Sequence, residues 1–279
     1  MKIAWIGTGV MGAPMAKHLA KAGYNVSAYN RTFAKAQQLE PEITAYSTIK
    51  EVVHDADVIF TIVGYPNDVK EVYDSIIPNA KKGSILVDMT TSSPTLAKEI
   101  ATKAKESGLI ALDAPVTGGD LGAINASLSI MVGGDENAFH KILPLLENMG
   151  TTINYMGDSG NGQNAKLANQ IAIAGAIAGT AEALTYAKLK NLDLQTMLNV
   201  ITGGSANSWQ AANNGQAMLD HNFKPGFFLK HLLKDLNLAF EEKGDVVLPL
   251  LETVRNIYNI LNENGFGDEG TQAIIKYYQ

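Results

Sequence analysis

Residues 3–12 read Ile3-Ala4-Trp5-Ile6-Gly7-Thr8-Gly9-Val10-Met11-Gly12, and an alanine-rich segment follows. A short apolar run leads into Gly-x-Gly-x-x-Gly, and the next residues suit a helix. Each glycine has a mechanical reason: a tight turn at Gly7, close approach of backbone to a pyrophosphate at Gly9, and close packing of helix on strand at Gly12. A helix opening there presents unpaired N–H groups and the positive end of its dipole to phosphate oxygens. The hexapeptide alone is a weak signal, because a glycine-rich packing turn has the same letters. Its place between strand and helix favours a dinucleotide site built on Gly7, Gly9, Val10, Met11 and Gly12.

Working outward, residues 1–160 alternate short apolar runs with helical patterns, the signature of β-α-β units and a parallel sheet. Strands are expected at 3–6, 26–30, 58–63, 85–88, 110–113, 128–132 and 152–155, and helices near 12–22, 48–56, 68–77, 94–107 and 136–149. Ser93 is placed to cap the fourth of these helices, with Pro94 in its first position. From Gly162 onward strand patterns disappear, and helices are expected near 162–190, 194–202, 209–220, 229–243 and 249–264. The fold class is therefore α/β, with a Rossmann-type dinucleotide-binding domain over 1–160 and an all-α domain over 161–279. Two domains also suit a chain of 279 residues, since single cores stop growing near roughly 250.

The formal charge of −6 argues against nucleic acid as a partner, and the absence of cysteine excludes disulfides and thiolate chemistry. Five histidines without ligand spacing point to no metal site. Met1-Lys2 runs straight into a strand, without a secretory signal pattern, so a cytoplasmic protein is expected. The most apolar stretch, 167–181, falls short of the ~20 residues of a membrane span and reads as a buried helix. Within it Gly175 and Gly179 suit either close helix packing or chance.

At the end of the second strand, where an NAD site carries an acidic residue, stands Asn30-Arg31-Thr32. A carboxylate repels a 2′-phosphate, whereas arginine pairs with it and Asn and Thr can hydrogen-bond to it, so NADP is preferred over NAD. A solvated surface charge is the plain alternative for Arg31.

The segment continues as Gly12-Ala13-Pro14-Met15-Ala16-Lys17-His18-Leu19, then Lys21-Ala22-Gly23-Tyr24. Further along come Asp113-Ala114-Pro115-Val116-Thr117-Gly118-Gly119, then Gly162-Gln163-Asn164-Ala165-Lys166-Leu167-Ala168-Asn169-Gln170, and Lys234-Asp235-Leu236-Asn237-Leu238-Ala239. In this order the four blocks resemble the β-hydroxyacid dehydrogenase family, which includes 3-hydroxyisobutyrate dehydrogenase and semialdehyde and glyoxylate reductases. The resemblance implies a helical domain completing the active-site cleft and a homodimer or homotetramer. It makes Thr117, Gly118 and Gly119 the substrate segment and the 162–170 block the catalytic helix, brings Lys234 to the nicotinamide end, and sets Val63, Gly64 and Thr91 beside the cofactor. Two positions depart from the family pattern: Thr117 replaces the commoner serine, and Val63-Gly64-Tyr65-Pro66 is longer than usual.

Moving a hydride to or from a hydroxyl carbon needs one positioned proton carrier. With no cysteine and no metal spacing, lysine is the best candidate. Lys166 lies near the start of the long helix, where the dipole and partial burial favour the neutral amine. Asn169 and Gln170 follow at i+3 and i+4 on the same face, where a neutral amide can orient the substrate or the lysine, and Asn169 is expected among the substrate-binding residues. An isolated Lys-x-x-Asn would ordinarily be a solvated lysine; the surrounding block decides for catalysis. Lys230, His231, Lys234 and Asp235 have the alternative of forming a plain charged helix face, and Trp209 is read either as lining the substrate pocket or as packing. The expected activity is hydride transfer between NADP(H) and a small β-hydroxyacid or semialdehyde, against two alternatives: a silent NADP-binding scaffold, and an imine reductase.

Overall fold

The computed structural model describes residues 1–279, which form two compact units, Met1–Lys166 and Leu167–Gln279. The first contains β1 (Lys2–Ile6), α1 (Gly12–Lys21), β2 (Asn25–Tyr29), α2 (Phe33–Gln37), β3 (Thr44–Tyr46), α3 (Ile49–Val53), β4 (Val58–Thr61) and α4 (Pro66–Ile76). It continues through β5 (Ile85–Asp88), α5 (Pro94–Glu106), β6 (Ile110–Asp113), β7 (Val116–Thr117), α6 (Gly119–Ile124), β8 (Leu128–Val132), α7 (Glu136–Leu146) and β9 (Gly150–Tyr155).

Six strands form one parallel sheet in the order β3-β2-β1-β4-β5-β6. The order reverses between β1 and β4, and the carboxyl ends beside such a switch point are where open α/β sheets bind ligands. Both faces are covered, and the period-two pleat assigns alternate residues to each. Ile3, Trp5, Val58, Phe60, Ile85 and Val87 enter one core, while Ala4, Ile6, Ile59 and Leu86 enter the other. Ser93 caps α5 as expected, its Oγ accepting from Leu96 N at 3.2 Å.

The expectation that 128–132 and 152–155 join this parallel sheet is corrected. They belong to a separate three-stranded sheet, β7-β8-β9, with β7 antiparallel to β8 and β8 parallel to β9. Beyond β6 the chain runs on through Ala114-Pro115 into β7 without turning, its residues pairing antiparallel with β8 in one register, and the two sheets are joined by reciprocal hydrogen bonds between Asp113 and Gly133.

The second unit is helical: α8 (Asn161–Leu189, beginning in the first unit), α9 (Leu194–Gly203), α10 (Gln216–Leu219), α11 (Leu229–Glu242), α12 (Pro249–Leu261) and a closing 3₁₀ segment, Thr271–Tyr278. The chain parts within α8 at Lys166, a little beyond residue 160, because the first turns of this helix are bonded into the sheet unit. At 29 residues α8 is about 43 Å long. By length and composition it would cross a membrane. It also buries Leu167, Ala174, Ile177, Ala178, Ala181 and Leu184 in the core of the second unit, as a core helix does. A Cβ on Gly175 would meet Leu250 Cδ2 at 2.7 Å, whereas one on Gly179 would meet nothing, so only the first glycine serves packing. The helix expected over 209–220 instead begins as a π turn, Gln210–Gly215, which sets Gly215 against Leu198.

Candidate active site

The glycine loop has the geometry its letters require. Gly7 has φ +99°, and a Cβ there would lie 2.0 Å from Ile62 O; a Cβ on Gly12 would lie 1.9 Å from Gly7 O. Trp5 supports the turn from beneath, donating Nε1–H to Gly7 O at 3.0 Å and stacking on Phe60. Gly9, by contrast, is exposed with nothing within 4 Å of a Cβ, and Val10 is exposed too. No side chain caps α1 and no acidic residue stands in its first turn. Two buried hydroxyls at carboxyl ends of strands, Thr8 Oγ1 after β1 and Ser92 Oγ after β5, have no hydrogen-bond partner. A cradle open at Gly9, an uncapped helix N-terminus and these orphaned hydroxyls fit a phosphate-bearing dinucleotide.

Asn30 is committed to the loop: its Oδ1 accepts from Thr8 N at 3.0 Å and its Nδ2 donates to Thr32 O at 3.1 Å. Arg31 and Thr32 are exposed, and Arg31 donates to Asp68 Oδ1 at 3.1 Å. That aspartate also accepts from Tyr65 N, closing the start of α4 beside Val63 and Gly64. With 84% of its side chain exposed, Arg31 gains little from the ion pair and can turn to an incoming anion.

At the ends of β5 and β6 lie two buried carboxyls. Asp113 accepts from Gly160 N at 2.7 Å and Gln163 N at 2.8 Å, fixing the start of α8. Gly162 permits that approach, since a Cβ would lie 2.4 Å from Asp113 O. The buried side chain of Gln163 then clasps the loop after β5 on both sides of Thr91, accepting from Ser92 N at 2.9 Å and donating to Thr90 O at 2.7 Å. One turn on, Lys166 is 5% exposed. Neither Gln163 nor Asp113 carries a role legible in the sequence, because a buried amide and a strand-end carboxylate reveal their partners only in three dimensions.

Asp88 accepts from Thr61 Oγ1 and Thr90 N, both at 3.0 Å, and Thr90 Oγ1 in turn accepts from Val63 N. Burial pushes the Asp88 carboxyl up to about 6, against 3.8 for a free aspartate. The folded chain therefore holds this proton more tightly than the unfolded one. Its contribution to stability is fully present below pH 3.8 and is lost as pH rises through about 6, a difference of about 3 kcal/mol. Burial raises Asp113 as well and gives a slope of the same sign. Because His231, whose pKa burial lowers, contributes a slope of opposite sign, the test is the difference: the urea midpoint of wild type relative to Asp88→Asn is expected to fall as pH rises from 4 to 8, and a difference that stays constant with pH would count against it.

In the segment expected to bind substrate, Thr117 is half-buried, Gly118 has φ +133° and Gly119 φ +65°, and the two glycines stand at the start of α6. His18 Nε2 lies 3.0 Å from the carbonyls of both Ala123 and Ile124, tying the far end of α6 to α1.

In the helical unit, Lys234 is nearly buried and its Nζ is 3.2 Å from Asp235 Oδ1. Lys230 pairs with Asp268. His231 lies against Phe227 and Phe228, and burial followed by the Lys234 charge lowers its pKa. Trp209 is 65% exposed and so does not pack in the core of the helical unit.

A doubly wound dinucleotide-binding unit followed by a helical unit defines the class. Residues 2–157 match the family described as the NAD binding domain of 6-phosphogluconate dehydrogenase, and residues 160–278 that described as NAD-binding of NADP-dependent 3-hydroxyisobutyrate dehydrogenase. The chain is 45% identical over 281 residues to a probable 3-hydroxyisobutyrate dehydrogenase-like 1, mitochondrial, of Arabidopsis thaliana, covering 98% of this chain and 84% of the relative. It is 35% identical over 281 residues to the 2-hydroxy-3-oxopropionate reductase of Escherichia coli, covering 99% and 96%. A solved structure of 3-hydroxyisobutyrate dehydrogenase from Mycobacterium tuberculosis with L-serine has a TM-score of 0.92 at 32% identity, covering 99% and 98%. The chain belongs to the β-hydroxyacid dehydrogenase family and is a nicotinamide-dinucleotide-dependent oxidoreductase acting on a CH–OH group.

Proposed function

We propose that the protein interconverts a small β-hydroxyacid and its semialdehyde or oxo acid with NADP(H), using Lys166 as the proton carrier. The observation that supports this best is the setting of Lys166: a nearly buried lysine in the second turn of a helix whose start is bonded to Asp113 and, through Gln163, to the loop that carries Thr91. The nicotinamide, when bound, accepts or supplies the hydride.

Lys166 Nζ takes the hydroxyl proton during oxidation and returns it to the carbonyl oxygen during reduction. Asn169 orients the reacting oxygen. Thr117 Oγ1 and the N–H groups of Gly118 and Gly119 hold the carboxylate. Gly7, Gly9, Val10, Met11 and Gly12 receive the pyrophosphate, Val63, Gly64 and Thr91 border the cofactor, and Lys234 serves its nicotinamide end. Asn30 keeps Thr8 in place while Arg31, with Thr32, meets the 2′-phosphate. The protein works as a homodimer or homotetramer, a reading supported by exposed Trp209, Val247 and Leu250 on the helical unit and tested by light scattering.

The test is a panel of 3-hydroxyisobutyrate, 2-hydroxy-3-oxopropionate, succinic semialdehyde and glyoxylate with both nicotinamide cofactors. Turnover with NADPH or NADP is the expected result; consumption of neither cofactor with any compound would return the silent scaffold. NADPH is expected to give the higher kcat/KM. A charge-assisted hydrogen bond contributes roughly 1.5–3 kcal/mol, so Arg31→Ala should weaken NADP(H) binding by about tenfold or more while NAD(H) binding changes little. Equal wild-type use of both cofactors overturns the assignment of Arg31.

A further inference from the structure

Within the helical unit, four polar side chains form one directed chain. Asn169 Nδ2 donates to Gln170 Oε1 at 3.1 Å, and Gln170 Nε2 donates to Asp235 Oδ2 at 2.7 Å. The other carboxylate oxygen, Asp235 Oδ1, accepts no well-aligned hydrogen bond and lies 3.2 Å from Lys234 Nζ. Gln170 and Asp235 are each 1% exposed. At such depth a polar group left unmatched is costly, so the direction of the Gln170–Asp235 bond is enforced.

A carboxamide has a donor end and an acceptor end of nearly equal shape, and its direction is set by its partners. A carboxylate only accepts. Asp235 therefore requires Gln170 to turn its NH₂ towards it, which leaves Gln170 Oε1 as the end facing Asn169. That oxygen requires Asn169 to approach with Nδ2, and Asn169 Oδ1 is then turned away from the chain as an acceptor. An acceptor suits a hydroxyl and repels a carboxylate. We infer that Asp235 is a positioning residue: through Gln170 it fixes the direction of the Asn169 carboxamide, so that Asn169 meets the substrate as an acceptor for its hydroxyl and leaves the carboxylate to other residues. The same carboxylate holds Lys234 by charge. This inference rests on the hydroxyacid reading given above.

Asp235→Asn and the double variant Gln170→Glu/Asp235→Asn test it. The single variant replaces the acceptor-only group by one that satisfies Gln170 in either direction, so both amides are free to turn. We expect kcat to fall tenfold or more, with KM for the acid changed less than threefold. In the double variant an acceptor-only group stands at position 170; it accepts from Asn169 and from the new amide at 235, restoring the direction of Asn169. Recovery of kcat to within about threefold of wild type is expected. Lys234 lacks its neighbouring carboxylate in both variants, and the amide proton signals of Asn169 separate the amide direction from any effect of the new carboxylate at position 170 on Lys166, four residues earlier on the helix. A single variant within twofold of wild type in kcat, or a double variant no better than the single, overturns the inference.

The side-chain amide proton signals of Asn169, assigned by their loss in Asn169→Asp, read the same chain without turnover. They are expected to shift in Asp235→Asn and to return in the double variant. If they do not move, the inference falls whatever the kinetics. If they move as expected while wild type turns over no compound of the panel, the directed chain stands and the hydroxyacid reading falls instead.

Discussion

Lys166→Ala is expected to lower kcat by 10²–10⁴-fold, about 3–5 kcal/mol of barrier, because that is the usual cost of removing a positioned proton carrier. The protein should still fold and bind NADPH. Lys166→Arg should be nearly as poor, since a guanidinium stays protonated and cannot serve as the base. The rival explanation is packing: the residue is only 5% exposed, so truncating it removes contacts as well as an amine. Two measurements on one preparation separate the two. Loss of turnover with near-normal melting and NADPH titration supports proton transfer, whereas parallel loss of melting temperature and turnover supports packing. Turnover within a few-fold of wild type ends the assignment, and Lys234 or His231 would then be examined as the carrier.

What the sequence made legible follows from how local each signal is. The three glycines of the first loop were readable because their constraints involve residues a few positions away, or one neighbouring strand, and the coordinates repeat them: a positive φ at Gly7, open space at Gly9, and contact with Gly7 O at Gly12. Ser93-Pro94 marked a helix start for the same reason. Three-residue β3 and two-residue β7 were missed, being too short to show a period. Strand letters carry no information about which sheet a strand joins; β8 and β9 form their own sheet because β8 pairs antiparallel with the continuation of β6 through β7. Asn30 illustrates a subtler limit. Its side chain suited a cofactor hydrogen bond on paper, yet it is occupied with Thr8 and Thr32, partners that emerge only when β1 and β2 lie side by side. Asp88, Asp113 and Gln163 have the same character, since each has a partner 27 to 73 positions away.

Gln163→Leu should have the largest effect of any substitution outside the proton carrier, because it strips two buried backbone groups of their partners at once. Leucine is similar in volume, so the change leaves no large cavity, but Thr90 O loses its donor and Ser92 N its acceptor. Each unsatisfied buried group costs about 1–3 kcal/mol, giving about 2–6 kcal/mol together. At roughly 2–4 °C per kcal/mol for a chain of this size, the melting temperature should drop by about 5–20 °C. The same bonds hold the loop on both sides of Thr91, so NADPH affinity should fall by about tenfold, the equivalent of roughly 1.4 kcal/mol. Gln163→Glu separates the two halves of the clasp. It keeps an acceptor for Ser92 N but sets a second oxygen against Thr90 O, so it should be intermediate in stability at neutral pH and improve on acidification as the new carboxyl gains a proton to donate. Thermal melts with and without NADPH, combined with calorimetric titration, measure both effects. Wild-type melting and affinity in Gln163→Leu would mean that water satisfies the loop and that the clasp does not carry the cofactor edge of the site.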